Sequence, residues 1–162
     1  MEDRDDYKPP RPPAQHDLIT LCRELNACGV KYIVIGGMAV VQQGFLRTTE
    51  DIDLLLEESR KNQQKVKKAL EILPDKAVLE MDDDDLDTYV VVRVVDEIVV
   101  DLMLKACGIS YNKAIKEVDI VTIKGVDIPF ASAELLFKMK QTVRQKDEID
   151  RIYLKRKIEV ER

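Results

Sequence analysis

Residues 32–57, YIVIGGMAVVQQGFLRTTEDIDLLLE, restrict the chain more than any other stretch. An apolar run (Ile33, Val34, Ile35) breaks at Gly36-Gly37, a helical segment follows, and a second apolar run starts at Asp51-Ile52-Asp53. A strand that runs into paired glycines gives backbone N–H groups access to an anion. Two aspartates at i and i+2 on a strand point to one face and can share a divalent cation. A phosphate cradle and a metal site this close together suit an enzyme that handles a nucleotide with Mg²⁺.

Asp51 and Asp53 also have plainer roles open to them, as a turn cap and an edge-strand surface charge. Against these, Asp53 lies within Ile52-Asp53-Leu54-Leu55-Leu56, a run apolar enough to be buried, where a carboxylate needs a cation or several donors. A third carboxylate, Asp101, has three apolar residues on each side (Ile98, Val99, Val100; Leu102, Met103, Leu104). It either forms a buried salt bridge with Arg93 across a hairpin or completes a three-carboxylate site. Such a site can hold two Mg²⁺ about 3.5–4 Å apart, the arrangement used for in-line phosphoryl displacement.

The remainder of the chain reads as one domain with a sizeable core, α+β in class, with a mixed sheet flanked by helices and a helical tail. Residues 1–13, with Glu2, Asp3, Asp5, Asp6 and four prolines, form a mobile or extended arm. Residues 14–130 form the core and 131–162 the C-terminal helices packed on it. Helical spacing of Leu18, Leu21, Cys22 and Leu25 predicts a first helix that stops at Gly29. Strands are expected at Lys31–Ile35 and Asp51–Leu56, with a helix from Met38 to Gln43 between them. Ser59 should cap a helix that runs to about Leu73 and ends at Pro74.

Beyond Pro74 the expected elements are a short strand at Ala77–Leu79, a solvated acidic loop at Asp82–Asp85 and a hairpin of Thr88–Val95 with Glu97–Leu104. Then come a helix capped by Ser110 to about Glu117 and a hairpin around Gly125 (Asp119–Lys124, Val126–Ile128). Ser132 opens the helical tail, with a break near Gln145–Asp147.

Composition excludes several functional classes. The net charge of −5 gives no global attraction to nucleic acid, so an RNA substrate would need a local basic face. Lysines and arginines of the tail are interleaved with acids, as on a solvated helix. One histidine, His16, leaves no basis for histidine catalysis or a histidine-rich zinc site. Cys22, Cys28 and Cys107 lack metal-ligand spacing and read as reduced thiols in a cytoplasmic protein. No apolar run approaches membrane-spanning length.

The pattern apolar-Gly36-Gly37, thirteen residues from Met38 to Glu50, Arg47-x-Thr49-x-Asp51-Ile52-Asp53, then a separate strand with Asp101, resembles the DNA polymerase β-like nucleotidyltransferases. It is most similar to their small prokaryotic branches, the minimal and the abortive-infection toxin-type nucleotidyltransferases. Glu134–Asp150 resembles the lysine…arginine-x-lysine-aspartate…aspartate tail motif of those branches. The resemblance implies metal ligation and catalysis by Asp51, Asp53 and Asp101, with Asp101 also activating the acceptor hydroxyl. It implies nucleotide contacts at Gly36, Gly37, Arg47, Thr49 and Lys140, with Arg47 either touching phosphate or bracing the Asp-x-Asp loop. Asp147 shares a face with Lys140 or serves with Asp150 as a helix-start cap. The expected substrate is an NTP, ATP among them, and the acceptor a tRNA, a protein or a small molecule. Gly37 stands where the family often carries serine. The alternative is a silent nucleotide-binding or partner-binding member of a toxin–antitoxin pair.

Overall fold

The computed structural model describes residues 8–140 and 145–161. Glu2, Asp3, Asp5 and Asp6 of the acidic arm and residues 141–144 of the tail motif lie outside the described residues. The order of elements is α1 (Gln15–Ala27), β1 (Tyr32–Ile35), α2 (Gly36–Gln42), β2 (Asp51–Leu56), α3 (Arg60–Leu70), α4 (Asp85–Thr88), β3 (Val92–Val95) and β4 (Val99–Met103). There follow β5 (Lys105–Ala106), β6 (Ile109–Ser110), α5 (Tyr111–Ala114), β7 (Val118–Ile123), β8 (Val126–Ala131), α6 (Ala133–Met139) and α7 (Gln145–Glu161).

Six strands form one mixed sheet in the order β3-β4-β2-β1-β8-β7, and β5 and β6 form a separate small hairpin. β1 and β4 are buried along their whole length, which is why both read as apolar runs, interrupted in β4 by Asp101, rather than as alternating ones. α1 packs on α3 and β8, while α2 packs on β1, β2 and α6, and α6 on α7. The core joins Leu21, Leu25, Ile33, Ile52, Leu54, Leu102, Ile128 and Phe130, all essentially inaccessible. Caps follow the sequence. Ser59 Oγ accepts the Asn62 N–H and Ser132 Oγ accepts the Leu135 N–H, each at 3.2 Å. Residues 8–13 are held against the domain by Arg11, which pairs bidentately with Asp17 at 2.7 Å and gives its N–H to the Glu97 carbonyl.

The structure corrects three expectations. Ala77–Glu80 is a 3₁₀ turn rather than a strand. The buried Asp96 carboxylate accepts the N–H groups of Asp75 and Ala77, which a sheet would otherwise have used. Thr88 closes the single-turn α4, its hydroxyl donating to the Asp84 carbonyl, so the hairpin starts only at Val92. The helix after Ser110 is one α turn followed by a 3₁₀ turn to Glu117, and the Ser110 side chain does not cap it. The helical tail opened by Ser132 divides as expected, a few residues earlier than Gln145–Asp147: α6 ends at Met139 with Lys140 as its C-cap, and α7 begins at Gln145.

Candidate active site

β1 turns directly into α2 at Gly36, whose φ of +66° is left-handed. A Cβ there would overlap the Asp53 carboxylate. A Cβ on Gly37 would fall 2.6 Å from Thr49 Oγ1 and 3.0 Å from an Arg47 guanidinium nitrogen. Each glycine therefore makes room for a residue of the segment that carries the aspartates. The spacing of Gly-Gly and Asp-x-Asp is a packing requirement as well as a chemical one.

The strand register assembles the acids. β1 and β2 run antiparallel with Ile35 opposite Asp53, and β2 and β4 run parallel with Asp53 beside Asp101. β3 and β4 run antiparallel with Arg93 opposite Asp101. One row across four strands thus reads Ile35, Asp53, Asp101, Arg93. Carboxylate oxygens of Asp51, Asp53 and Asp101 all lie within 4.8 Å of one another. They line a cavity of about 520 Å³ together with Gly36, Gly37 and Lys140.

Two cations face this acid group from different settings. Arg93 forks onto Asp101, with Nε 3.0 Å from Oδ1 and one terminal nitrogen 3.0 Å from Oδ2, and the same terminal nitrogen is 3.3 Å from Asp51 Oδ2. Its side chain is 59% exposed. Lys140 is buried, with Nζ 3.1 Å from Asp147 Oδ1 and 3.4 Å from Asp150 Oδ2. Although 141–144 separate their helices, Lys140 and Asp147 meet directly.

Arg47 and Thr49 lie behind Gly37, outside the lining of the cavity. Arg47 Nε is 3.0 Å from Asp150 Oδ1, close enough for an ion pair without hydrogen-bond alignment, and a terminal nitrogen donates to Asp150 Oδ2 at 3.0 Å. Thr49 Oγ1 donates to the Asp51 carbonyl at 3.0 Å. Thr49 thus braces the Asp51 backbone, while Arg47 ties the Thr48 carbonyl to α7, and the fully buried Asp150 joins Arg47 to Lys140.

The Arg93–Asp101 pair considered from the sequence is present across the hairpin, whereas sequence reasoning missed Asp150 as a shared anion and the β5–β6 hairpin that brings Cys107 to the cavity. Arg93 left a signal: a lone charge in Val91-Val92-Arg93-Val94-Val95, which a tight turn at Asp96-Glu97 sets opposite Asp101. The hairpin left only Cys107-Gly108, both in the left-handed region.

Residues 14–162 match the family model described as "Nucleotidyl transferase of unknown function (DUF2204)". The chain belongs to this nucleotidyl transferase family. Three solved structures share the fold. TM1012 of Thermotoga maritima, a protein assigned to the nucleotidyltransferases, is 17% identical with a TM-score of 0.57, over 99% of this chain and 100% of that one. The lincosamide antibiotic adenylyltransferase LnuA, bound to lincomycin, is 17% identical with a TM-score of 0.57, over 90% and 98%. An antigenic nucleotidyltransferase-like protein of Paracoccidioides brasiliensis is 16% identical with a TM-score of 0.56, over 89% and 78%. Among curated proteins nothing matches. No helix of the described residues is long and apolar enough to cross a membrane.

In this nucleotidyl transferase family member, burial and the neighbouring Asp51 and Asp101 push the Asp53 carboxyl up from 3.8 to about 7, and Lys140 opposes them. The sign of the linkage follows. Between these values the folded protein holds a proton that the unfolded chain has lost, so metal-free stability falls as pH rises from about 4 to about 7. In EDTA, Asp53→Asn should melt above the parent at pH 8, with the gap closing toward pH 4. A gap independent of pH would contradict this.

Proposed function

We propose that the protein is a metal-dependent nucleotidyltransferase that moves a nucleoside monophosphate from an NTP to an acceptor hydroxyl and releases pyrophosphate. The observation that carries this reading is the convergence of Asp51, Asp53 and Asp101 in one cavity beside the Gly36-Gly37 turn. Three hard oxygen donors within 4.8 Å fit Mg²⁺, and Asp51, Asp53 and Asp101 would hold it. When bound, Mg²⁺ supplies charge neutralisation at the transferring phosphoryl group and a more acidic acceptor hydroxyl.

The chain's own groups do the positioning. Gly36 and Gly37 bring backbone close to the triphosphate, and Lys140 places a fixed positive charge on the wall of the cavity. Thr49 holds the Asp51 backbone and Arg47 ties the preceding loop to α7 through Asp150, both from outside the cavity lining. Asp101 accepts the proton of the acceptor hydroxyl. The acceptor oxygen bonds to the α-phosphorus as the bond to pyrophosphate breaks, so the substrate needs no redox partner. The volume of about 520 Å³ suits a nucleotide-sized ligand.

A decisive test is thermal melting with each of the four NTPs, with Mg²⁺ and with EDTA, followed by pyrophosphate release with candidate acceptors. Likeness to an adenylyltransferase with a bound antibiotic makes ATP and small hydroxylated molecules the first pair to try, with tRNA and protein next. Mg²⁺-dependent stabilisation by an NTP, with pyrophosphate release, is the expected result. The occupation of Asp101 by Arg93 favours a second reading, a silent partner-binding member of a toxin–antitoxin pair, for which no NTP would stabilise the fold.

A further inference from the structure

We propose that Arg93 is an internal counter-cation that holds the metal-free carboxylate site together and must leave it for metal to enter, so that metal binding is conditional on nucleotide. The proposal rests on the nucleotidyltransferase reading above.

Both oxygens of Asp101 accept from the Arg93 fork at 3.0 Å, and the same guanidinium reaches Asp51 at 3.3 Å. A guanidinium placed this way satisfies oxygens that a divalent ion would need, and it does so with the planar geometry that makes arginine–carboxylate pairs strong. Cation and metal therefore compete for Asp101. The neighbourhood decides whether Arg93 or Lys140 gives way. Lys140 is 9% exposed and tied to Asp147 and Asp150, whereas Arg93 is 59% exposed and stands on β3, the end strand of the sheet. Arg93 can turn outward without repacking the core; Lys140 cannot.

Metal alone must displace Arg93 with no new partner for the guanidinium. Metal that arrives with a triphosphate brings both its own phosphate ligands and acceptors for the released arginine, which remains on the cavity wall. The exchange then replaces one set of charge-assisted bonds by another. Nucleotide and metal bind cooperatively, and each raises the affinity for the other by the same factor.

The test is a Mn²⁺ titration followed by electron paramagnetic resonance or calorimetry. It uses the full chain and Arg93→Met, each alone and with a non-hydrolysable ATP analogue, and Asp101→Asn as the site control. The expected result is Mn²⁺ binding by Arg93→Met alone about fivefold tighter than by the parent, the factor appropriate to a half-exposed bidentate pair. The parent should tighten on Mn²⁺ when the analogue is added, and the gain should shrink in Arg93→Met. Equal Mn²⁺ affinity of parent and variant without nucleotide, with Asp101→Asn still losing the ion, would overturn the role of Arg93 and leave the enzyme reading standing. Failure of every form to bind Mn²⁺, with or without the analogue, would sink both. Arg93→Met should still melt cooperatively in EDTA, at a temperature below the parent's, which shows that the variant is folded; a loss of Mn²⁺ binding in it, or melting at the parent's temperature, would also overturn the proposal.

Discussion

Asp101→Asn should lower NTP turnover by at least about 10³-fold while leaving the melting temperature in EDTA within a few degrees of the parent. Asparagine keeps the shape of the side chain in a strand whose every residue is buried, so no cavity opens. It removes one of three carboxylates crowded within 4.8 Å, which relieves repulsion and offsets the loss of the Arg93 ion pair. Arg93, already half exposed, turns to water at little cost. Chemistry has no such alternative, because the other carboxylate at that level, Asp53 on β2, already belongs to the same group of three. Turnover retained in both Asp101→Asn and Asp53→Asn would remove the basis of the assignment.

Asp150→Ala should cost about 3–5 kcal/mol of stability, a drop in melting temperature of roughly 10 °C or more. Asp150 is fully buried and serves Arg47 at 3.0 Å and Lys140 at 3.4 Å. Its removal takes a partner from the buried Lys140 and the half-buried Arg47, and Lys140 retains Asp147 while Arg47 retains only the Thr48 carbonyl at 2.8 Å among its described partners. The penalty belongs to the stranded charge rather than to the net worth of the pair. Arg47→Met in the Asp150→Ala background should therefore recover part of the loss. A double mutant no more stable than the single one would show that α7 docks by other means.

Much of the fold was readable because local and global preferences agree. β2 begins at Asp51 and ends at Leu56 as expected, and Ser59 and Ser132 cap the helices they precede. The three aspartates stood out for one reason: a charge inside an apolar strand contradicts its surroundings unless something binds it. Elements whose partner lies far along the chain were not readable. Ala77–Glu80 became a turn because of Asp96, about twenty residues on, and Asp150 gained its role from Arg47, 103 residues away. Gly36 and Gly37 were legible as the break that ends β1, but the steric demand of Asp53 and Thr49 on them appears only when β2 is set against β1.

The register of β4 on β2 also bears on how the chain finds its fold. These strands pair in parallel across an intervening stretch of 42 residues, from Glu57 to Ile98, so the pairing forms late and alternatives compete with it. Leu54 and Leu102 on β2 and β4 offer almost nothing to distinguish the native alignment from one shifted by a single residue. Asp101 does. A one-residue slip would drive its charge into the face now filled by Val100 and Leu102, both fully inaccessible. A carboxylate of this kind is also a spelling check on the sheet, since misaligned copies are expelled by the energy of an ion with nowhere to go.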